Sequence, residues 1–313
     1  MDKTENLFPI IFIHKGDQKY LRYSLEQAKR SNPKSQIILI GDRSNNKYDV
    51  SHFDIQNFSE SANEFTNFYQ HLSTQPYLFE LFCIQRWFIL NEFVQKLGIN
   101  RFFYADSDVL IFADILKESN KFINYDLALV NGMSGGVSFW FNKDVLNFFC
   151  NFIRNIYMKN DIDNYEEIIK LAEDYKKTKR PGGVSDMAFF YLFKKQNLAK
   201  IGELTEIIDS STYDANFSEG QNGQYIFRKR CGVKKIIWRG DYPYGELAEG
   251  KFIKFNALHL QGSSKNYIQR ILKKKKICSL SAIIKHILLH TQYLKPLLML
   301  LMNIRNYFKK FER

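Results

Sequence analysis

The first 42 residues contain an apolar run, a helical segment and a second apolar run, and this order constrains the fold most strongly. Phe8–His14 and Ser35–Asp42 are apolar enough to be strands buried on both faces. Between them, Leu21–Asn32 has the residue pattern of a helix that ends before Pro33. Two strands joined by a helix form a βαβ unit, whose strands run parallel. The sequence therefore predicts an α/β fold with a parallel sheet.

The chain continues to alternate helices and strands up to residue 265. The strongest predicted helix is Pro76–Leu97, which ends before Gly98, and the next predicted strand is Phe102–Phe112. Further elements are predicted at Asp126–Asn131, Gly136–Asn142, Lys143–Met158, Asn164–Lys177, Met187–Lys195 and Lys235–Trp238. Because the sequence has no internal repeat or low-complexity linker, we expect one domain over residues 1–265 and a basic helical tail over residues 266–313.

Two carboxylates interrupt the predicted strand Phe102–Phe112, which reads FFYADSDVLIF. An unpaired carboxylate in apolar surroundings is strongly disfavoured, so Asp106 and Asp108 are expected to have partners. Residues two apart on a strand point the same way, and Mg²⁺ and Mn²⁺ prefer carboxylate oxygens. The pair is a candidate metal site at the carboxyl end of a strand, where open α/β sheets bind ligands. A solvated turn is the alternative interpretation.

A second polar segment, ALHLQGSSK from Ala257 to Lys265, has residue types suited to the same site. His259 offers a nitrogen ligand, Gly262 lets the backbone approach an anion, and Lys265 supplies positive charge for a phosphate. A single histidine is more often structural, but H-x-x-G-x-x-K after an earlier D-x-D is more specific. Together the segments suit a metal that bridges protein ligands and a diphosphate, with Lys265 neutralising a departing phosphate.

These features resemble the GT-A fold glycosyltransferases that use nucleotide sugars. The similarity is to the retaining family that includes glycogenin and bacterial lipo-oligosaccharide galactosyltransferases, and it covers Pro9–Lys265. It depends on the N-terminal βαβ unit, on ADSD at Ala105–Asp108 and on HLQGSSK at His259–Lys265. The resemblance implies glycosyltransferase activity and a GT-A domain, in which a Rossmann-like, mixed and mostly parallel sheet is flanked by helices.

The resemblance also implies ligands and partners. Asp106, Asp108 and His259 would hold Mn²⁺ or Mg²⁺ on the diphosphate of a nucleotide sugar. The diphosphate would be contacted by Asp106, Gly262 and Lys265. UDP-sugar is the implied donor, and a glycan or a lipid-linked molecule is the expected acceptor, in the synthesis of bacterial surface polysaccharide.

Two segments depart from the family pattern. Lys265 is followed by Asn-Tyr rather than Pro-Trp, and GGVSDMAFF at Gly182–Phe190 replaces an acidic segment near the sugar. The donor sugar and the choice between retention and inversion therefore stay open. Asp186 is the candidate catalytic residue, either as the general base of an inverting enzyme or as a group that orients sugar hydroxyls in a retaining one. The alternative is that Asp186 is only the N-cap of a helix starting at Met187.

Two further polar residues are candidates for nucleotide or diphosphate binding. Arg86 lies in the apolar helix, where it can pair with Asp106 or with a donor phosphate, or extend its stem to the surface. Asp42 ends the second strand and can face the base or ribose, although turn chemistry also explains an aspartate there.

The net charge of +12 is concentrated at the C-terminal end of the sequence. From Lys265 to Arg313 there are twelve Lys or Arg and one acidic residue, Glu312, so the remaining residues carry only +1. Because the body is near neutral, we expect no nucleic-acid partner, which would require a basic face. The apolar run 283–302 is too polar to span a membrane. Residues 266–313 are therefore expected to lie on an anionic membrane surface, or to pack on protein.

The compartment and two rival functions complete the expectations. The N-terminus has no secretory pattern, and four cysteines without a C-x-x-C pair suit reduced thiols. This favours a cytoplasmic location, with peripheral association at the inner face of the cytoplasmic membrane. One rival function is a haloacid-dehalogenase-like phosphatase, because ADSDVL also resembles that class, with Asp106 as nucleophile. The other is a non-catalytic membrane-binding scaffold.

Overall fold

The computed structural model describes residues 8–274. The strands are β1 Ile10–His14, β2 Ile37–Gly41, β3 Ser51–Asp54, β4 Phe102–Asp106, β5 Val109–Ile111, β6 Leu127–Val130, β7 Ser134–Trp140, β8 Ile201–Glu203, β9 Ser211–Tyr213, β10 Gln221–Asn222, β11 Tyr225–Ile226, β12 Lys229–Arg230, β13 Val233–Lys234, β14 Ile236–Arg239, β15 Tyr242–Glu246 and β16 Phe252–His259. The helices are α1 Tyr20–Ser31, α2 Glu60–Thr66, α3 Tyr77–Lys96, α4 Ile115–Ser119, α5 Lys143–Tyr157, α6 Ile162–Lys177, α7 Asp186–Lys195 and α8 Ile268–Leu272. Short 3₁₀ segments cover Arg43–Lys47, Ile55–Phe58 and Gly262–Tyr267.

The main sheet within residues 8–274 has seven strands in the order β3-β2-β1-β4-β7-β6-β8. Strands β3, β2, β1 and β4 pair in parallel, as do β6 and β8, whereas β7 is antiparallel to both β4 and β6. The predicted βαβ unit is β1–α1–β2. The prediction of a mixed, mostly parallel sheet flanked by helices is confirmed.

Strand β1 is apolar throughout because its two sides face two different cores. Ile11 belongs to one core, which includes Trp87 of α3. Phe12 belongs to the other core, which includes Leu21 of α1. Successive side chains of a strand point to opposite faces, so helices on both faces require an uninterrupted apolar run. Polar residues are therefore confined to the strand ends.

The prediction of one strand over Phe102–Phe112 is wrong. Strand β4 ends at Asp106, a turn covers Ser107 and Asp108, and β5 then leaves the main sheet. Strand β5 pairs antiparallel with β16 in a second sheet, ordered β14-β15-β16-β5, with β9 also paired to β16. The two carboxylates are thus brought together by a turn between two sheets, not by alternation along one strand. The other predicted elements begin and end within two residues of those observed.

The remaining observations concern the cysteines, membrane-spanning helices and the basic tail. Cys83 and Cys150 are free thiols, but Cys231 is disulfide-bonded, so the expectation of reduced thiols is wrong for Cys231. No helix within residues 8–274 is long and apolar enough to cross a membrane. The basic tail predicted for residues 266–313 lies outside the described residues beyond Lys274, and its described part includes α8.

Candidate functional site

The pairing of β5 with β16 brings the two predicted motifs together. His259, the last residue of β16, lies opposite Val109 at the start of β5. The backbone N–H of Leu260 donates to the carbonyl of Asp108 at 3.1 Å. This register places the D-x-D segment beside the H-x-x-G-x-x-K segment, although Asp108 and His259 are 151 residues apart in the chain.

Asp106, Asp108 and His259 form a cluster, named here the Asp-Asp-His cluster, that fits a divalent cation. One ligand atom from each residue lies within 4.8 Å of the other two. The His259 Nε2 atom is 3.3 Å from Asp108 Oδ1 and 3.8 Å from Asp106 Oδ2. Asp108 and His259 are buried, and Asp108 Oδ1 makes no hydrogen bond within residues 8–274. A buried carboxylate oxygen without a hydrogen bond is costly, and a divalent cation would supply the missing contact.

The protonation states of Asp108 and His259 depend on each other. Burial works against both charged forms, but the neighbouring His259 and Lys265 lower the pKa of the Asp108 carboxyl. Burial likewise opposes the imidazolium, yet the Asp108 carboxylate raises the pKa of His259. A metal ligand must be deprotonated, so a cation and a proton compete for the His259 imidazole.

The affinity for Mn²⁺ is therefore expected to increase with pH. While the pH lies below the raised pKa of His259, binding releases a proton, and affinity should rise by up to about tenfold per pH unit. Above that pKa the affinity should level off. Calorimetric titrations in buffers of different ionisation enthalpy measure the released proton directly. Binding with no proton release at the acidic end of the series would contradict this prediction.

Arg86 bridges the cluster to Asp186. Its Nη1 atom is 2.5 Å from Asp106 Oδ1, and its Nη2 atom is 2.6 Å from Asp186 Oδ2. The pairing with Asp106 that the sequence suggested is observed, and contact of Arg86 with a donor phosphate stays a prediction. The Tyr104 hydroxyl donates to the same Asp106 oxygen at 3.0 Å, and the Trp87 indole N–H donates to Asp186 Oδ2 at 3.0 Å. Neither aromatic residue was identified from sequence, because both look like ordinary core residues.

The interpretation of Asp186 as a helix N-cap is wrong. The N-cap of α7 is Ser185, whose side chain accepts from the backbone N–H of Met187. Asp186 is the first residue of the helix and is buried. Its carboxylate bonds to Arg86 and Trp87 instead of capping the helix, so helix capping does not explain an aspartate at this position.

Lys265 and Gly262 lie in the 3₁₀ segment that follows β16. The Lys265 Nζ atom is 3.2 Å from Asp108 Oδ2 and lies over the Tyr20 ring, 5.3 Å from its centroid. Burial opposes its charge, but Asp108 raises the pKa of Lys265, so the ammonium is retained. Gly262 has φ +56°, a left-handed conformation that glycine adopts without strain, and no atom of residues 8–274 lies within 4 Å of the position its Cβ would occupy. The backbone at Gly262 is thus open to a ligand.

Asp42 lies at the carboxyl end of β2 and makes turn contacts. Its Oδ2 atom accepts from the backbone N–H of Gly16 at 2.6 Å, and its carbonyl contacts the His52 ring at 3.1 Å. This geometry agrees with the turn interpretation of Asp42. Binding of a base or ribose by Asp42 stays a prediction.

A fully buried ion pair between Asp214 and Lys234 holds the backbone of His259. It was not identified from the sequence. Asp214 Oδ2 accepts from the backbone N–H of His259 at 3.0 Å, and Asp214 Oδ1 is 2.7 Å from Lys234 Nζ. The Lys234 ammonium also donates to the carbonyl of Asn216 at 2.7 Å. These residues belong to different segments with no shared motif, so no local signal could have identified them.

Gly136 of β7 leaves the space that the cluster occupies. A Cβ at this position would lie 2.6 Å from Asp106 Oδ2 and 3.0 Å from His259 Cε1. The backbone of β7 therefore comes close to the side chains of two predicted metal ligands.

Gly136→Ala is therefore expected to weaken Mn²⁺ binding by at least about tenfold, because both ligands must move to admit the methyl group. Gly202→Ala is a matched control, since its Cβ would meet Tyr125 at 3.0 Å, in the same sheet but outside the cluster. Both variants should lose similar stability in a denaturant titration. Equal Mn²⁺ affinity in the two variants would show that the space beside the cluster is not important.

No profile of a known protein family matches the chain, and no curated protein matches it. Among solved structures, apo mouse xyloside xylosyltransferase 1 is 10% identical, with 67% of this chain and 87% of that chain covered and a TM-score of 0.45. LgtC, a galactosyltransferase solved with donor and acceptor sugar analogues, is 12% identical, with 67% and 75% covered and a TM-score of 0.34. The glycosyltransferase GlyE of Streptococcus pneumoniae TIGR4 is 14% identical, with 63% and 45% covered and a TM-score of 0.33.

The chain spans less than half the length of GlyE and of the bifunctional glycosyltransferase WbbM, of which 45% and 42% are covered. All four of these proteins are glycosyltransferases, the class that the D-x-D and H-x-x-G-x-x-K motifs of this chain resemble. Because every TM-score given is below 0.5, the functional conclusion rests on the residues of the site.

Proposed function

We propose that the protein is a metal-dependent glycosyltransferase that moves a sugar from a nucleotide sugar, with UDP as the nucleotide, to a glycan or lipid-linked acceptor. The observation that supports this most directly is the Asp-Asp-His cluster with Lys265 at 3.2 Å from Asp108. This arrangement combines oxygen and nitrogen ligands for a divalent cation with a separate positive charge for a phosphate.

Asp106, Asp108 and His259 would hold the cation, Mn²⁺ or Mg²⁺. When bound, it would supply positive charge that stabilises a diphosphate leaving group. The Lys265 ammonium would bind the phosphate oxygens on which negative charge grows as the sugar bond breaks. The open backbone at Gly262 would let the diphosphate approach closely. Most of the catalysis would come from positioning and charge neutralisation.

The charges of the site suit a diphosphate only together with a cation. Three carboxylates, from Asp106, Asp108 and Asp186, lie close to two permanent cations, Arg86 and Lys265. With His259 neutral the site carries one net negative charge, and with His259 protonated it is neutral, so the site without metal does not attract a nucleoside diphosphate. A bound divalent cation makes the site positive. Nucleotide binding is therefore expected to require the metal.

Asp186 is the residue proposed to act on the sugar side. Arg86 and Trp87 both bond to its Oδ2 atom, which fixes the carboxylate, and Oδ1 takes no part in these two bonds. A fixed carboxylate with one available oxygen can accept a hydrogen bond from a sugar hydroxyl, or a proton from an acceptor hydroxyl. The first role belongs to a retaining enzyme and the second to an inverting one.

The wider setting is also proposed from the sequence. A lipid-linked acceptor for a bacterial surface polysaccharide would place the enzyme at the inner face of the cytoplasmic membrane. Residues 266–313 would contribute an anionic-membrane contact.

The test is calorimetric titration of UDP and of GDP into the full chain, with and without Mn²⁺. We expect UDP to bind only when Mn²⁺ is present. Hydrolysis of a panel of UDP-sugars in the presence of Mn²⁺ then identifies the donor sugar. Failure of both nucleotides to bind with metal present would overturn the proposal. A covalent phosphoryl group on Asp106 would support the rival phosphatase.

A further inference from the structure

The start of helix α3 exposes three consecutive large apolar side chains, named here the apolar tip. Tyr77, Leu78 and Phe79 have relative exposures of 45%, 77% and 57%. Later in the same helix, Leu81, Ile84 and Trp87 are buried in the core. Exposed apolar residues are usually scattered singly, so a contiguous group at a helix end indicates an interaction surface.

A strongly basic segment lies beside the apolar tip. Residues 175–185 contain Lys176, Lys177, Lys179 and Arg180 and no acidic residue, and all four cations are exposed. Arg180 pairs with Asp174, whereas the three lysines have no acidic partner within residues 8–274. The four cations are named here the basic loop.

Backbone contacts hold residues 182–184, which follow the basic loop, against the segment that leads into the apolar tip. The N–H of Thr74 donates to the carbonyl of Gly182 at 2.9 Å, and the N–H of Gly182 donates to Thr74 Oγ1 at 2.9 Å. The N–H of Val184 donates to the carbonyl of Leu72 at 2.9 Å. Residues 67–79 themselves contain no acidic side chain. Because Thr74 is three residues from Tyr77 and Gly182 is two residues from Arg180, these contacts place the apolar tip and the basic loop close to each other.

The apolar tip adjoins the candidate site. Phe79 and Arg86 are seven residues apart on α3, two turns or about 10 Å along the same helix face. Phe82 lies on that face between them, with the Lys15 ammonium 5.9 Å from its ring centroid. Arg86 then contacts Asp106 and Asp186. A molecule bound at the apolar tip would lie at the rim of the site.

We propose that the apolar tip and the basic loop form a docking surface for an anionic phospholipid bilayer. The apolar side chains would insert among the acyl chains, and the lysines would contact lipid phosphates at the headgroup level. The charge of the loop selects this occupant, because an uncharged apolar partner would not need a cluster of unpaired lysines. The surface is distinct from residues 266–313, and its binding does not require transferase activity.

The test places a fluorescent reporter on the apolar tip of the full chain. Leu78→Trp introduces an indole there, and Leu97→Trp is the matched control at the opposite end of α3. Leu97 is also exposed, at 46%, and lies about 28 Å away along the helix. Each variant is mixed with vesicles of phosphatidylcholine and phosphatidylserine whose acyl chains carry bromine, and the wild-type emission is subtracted.

We expect bromine to quench the indole of the Leu78→Trp variant and not that of the Leu97→Trp variant, and only when phosphatidylserine is present. In vesicle co-sedimentation, the Leu78→Glu/Phe79→Glu double variant should bind at least about tenfold more weakly than Leu97→Glu. Lys177→Glu/Lys179→Glu should weaken binding in the same direction.

Three outcomes would overturn the proposal. Vesicle binding of the full chain without quenching at position 78 would show that another segment makes the contact. Equal quenching at positions 78 and 97 would exclude a specific orientation. A shift in the emission of the Leu78→Trp variant on self-association without lipid would show that a second copy of the chain covers the apolar tip.

Discussion

Asp108→Asn is expected to abolish the manganese-dependent binding of UDP, and His259→Gln is expected to do the same. Asparagine keeps the shape of Asp108 but removes the charge that a divalent cation needs. Asp108 Oδ1 is 3.3 Å from His259 Nε2, so the two substitutions alter the same cluster: Asp108→Asn removes a ligand charge, and His259→Gln removes the nitrogen ligand. Loss of a direct ligand should weaken Mn²⁺ binding by at least about 100-fold.

The matched control for Asp108→Asn is Asp114→Asn. Asp114 caps α4 by accepting from the backbone N–H of Lys117, and asparagine caps helices about as well as aspartate. This variant should bind UDP and Mn²⁺ as the wild type does. Addition of Mn²⁺ should also raise the melting temperature of the wild type and the control, but not of the two cluster variants. Unchanged UDP binding in both cluster variants would mean that the two motifs do not form one site, and the transferase proposal would be lost.

Arg86→Met is expected to be the most destabilising of the substitutions considered. Arg86 is the cation between Asp106 and Asp186, and the side chains of the three residues are only 14%, 21% and 6% exposed. Methionine fills the space without the charge and leaves the buried Asp186 and the partly buried Asp106 carboxylates without their shared cation. Removing one partner of a buried ion pair costs about 3–5 kcal/mol of unfolding free energy. Sugar transfer should be lost as well, because Asp106 and Asp186 are no longer held in position.

Denaturant titration measures this cost, with Arg154→Met as the control. Arg154 also lies near an aromatic ring, but its nearest carboxylate is that of Glu64 at 3.6 Å, and its side chain is 32% exposed. Arg154→Met should therefore lower the free energy of unfolding by about 1 kcal/mol or less. In the background of Asp186→Asn, the cost of Arg86→Met should be smaller, because one of the unpaired charges is already absent. Equal costs for Arg86→Met and Arg154→Met would show that Arg86 does not neutralise the site.

The fold was predicted well where the information is local. The strand Ile10–His14 is buried, and the helix Tyr77–Lys96 packs one part of its surface in the core, and this burial leaves an apolar pattern in the sequence itself. The prediction failed at Phe102–Phe112, where an apolar run continues across a turn from one sheet to another. Apolar residues are equally suitable on both sides of such a turn, so composition alone does not reveal it.

In the candidate site, too, the residue types were predictable from the local sequence, whereas their arrangement depends on the whole fold. Asp106, Asp108, His259 and Lys265 were identified from two short motifs, because ligand types and their spacing are visible in the chain. Their convergence depends on the pairing of β5 with β16. That pairing is selected by packing over the whole fold, which no window of sequence contains.

Local sequence patterns were enough to predict the α/β class, the position of most helices and strands, and the residue types of the candidate metal and phosphate ligands. These follow from burial patterns and side-chain chemistry within a few residues. Only the tertiary structure decided that Arg86 joins Asp106 to Asp186, that Asp214 and Lys234 support His259, and that Gly136 leaves room for the cluster. Each of those contacts joins separate segments of the chain. The segments meet only when the complete core packs, so no local sequence pattern indicates the contacts.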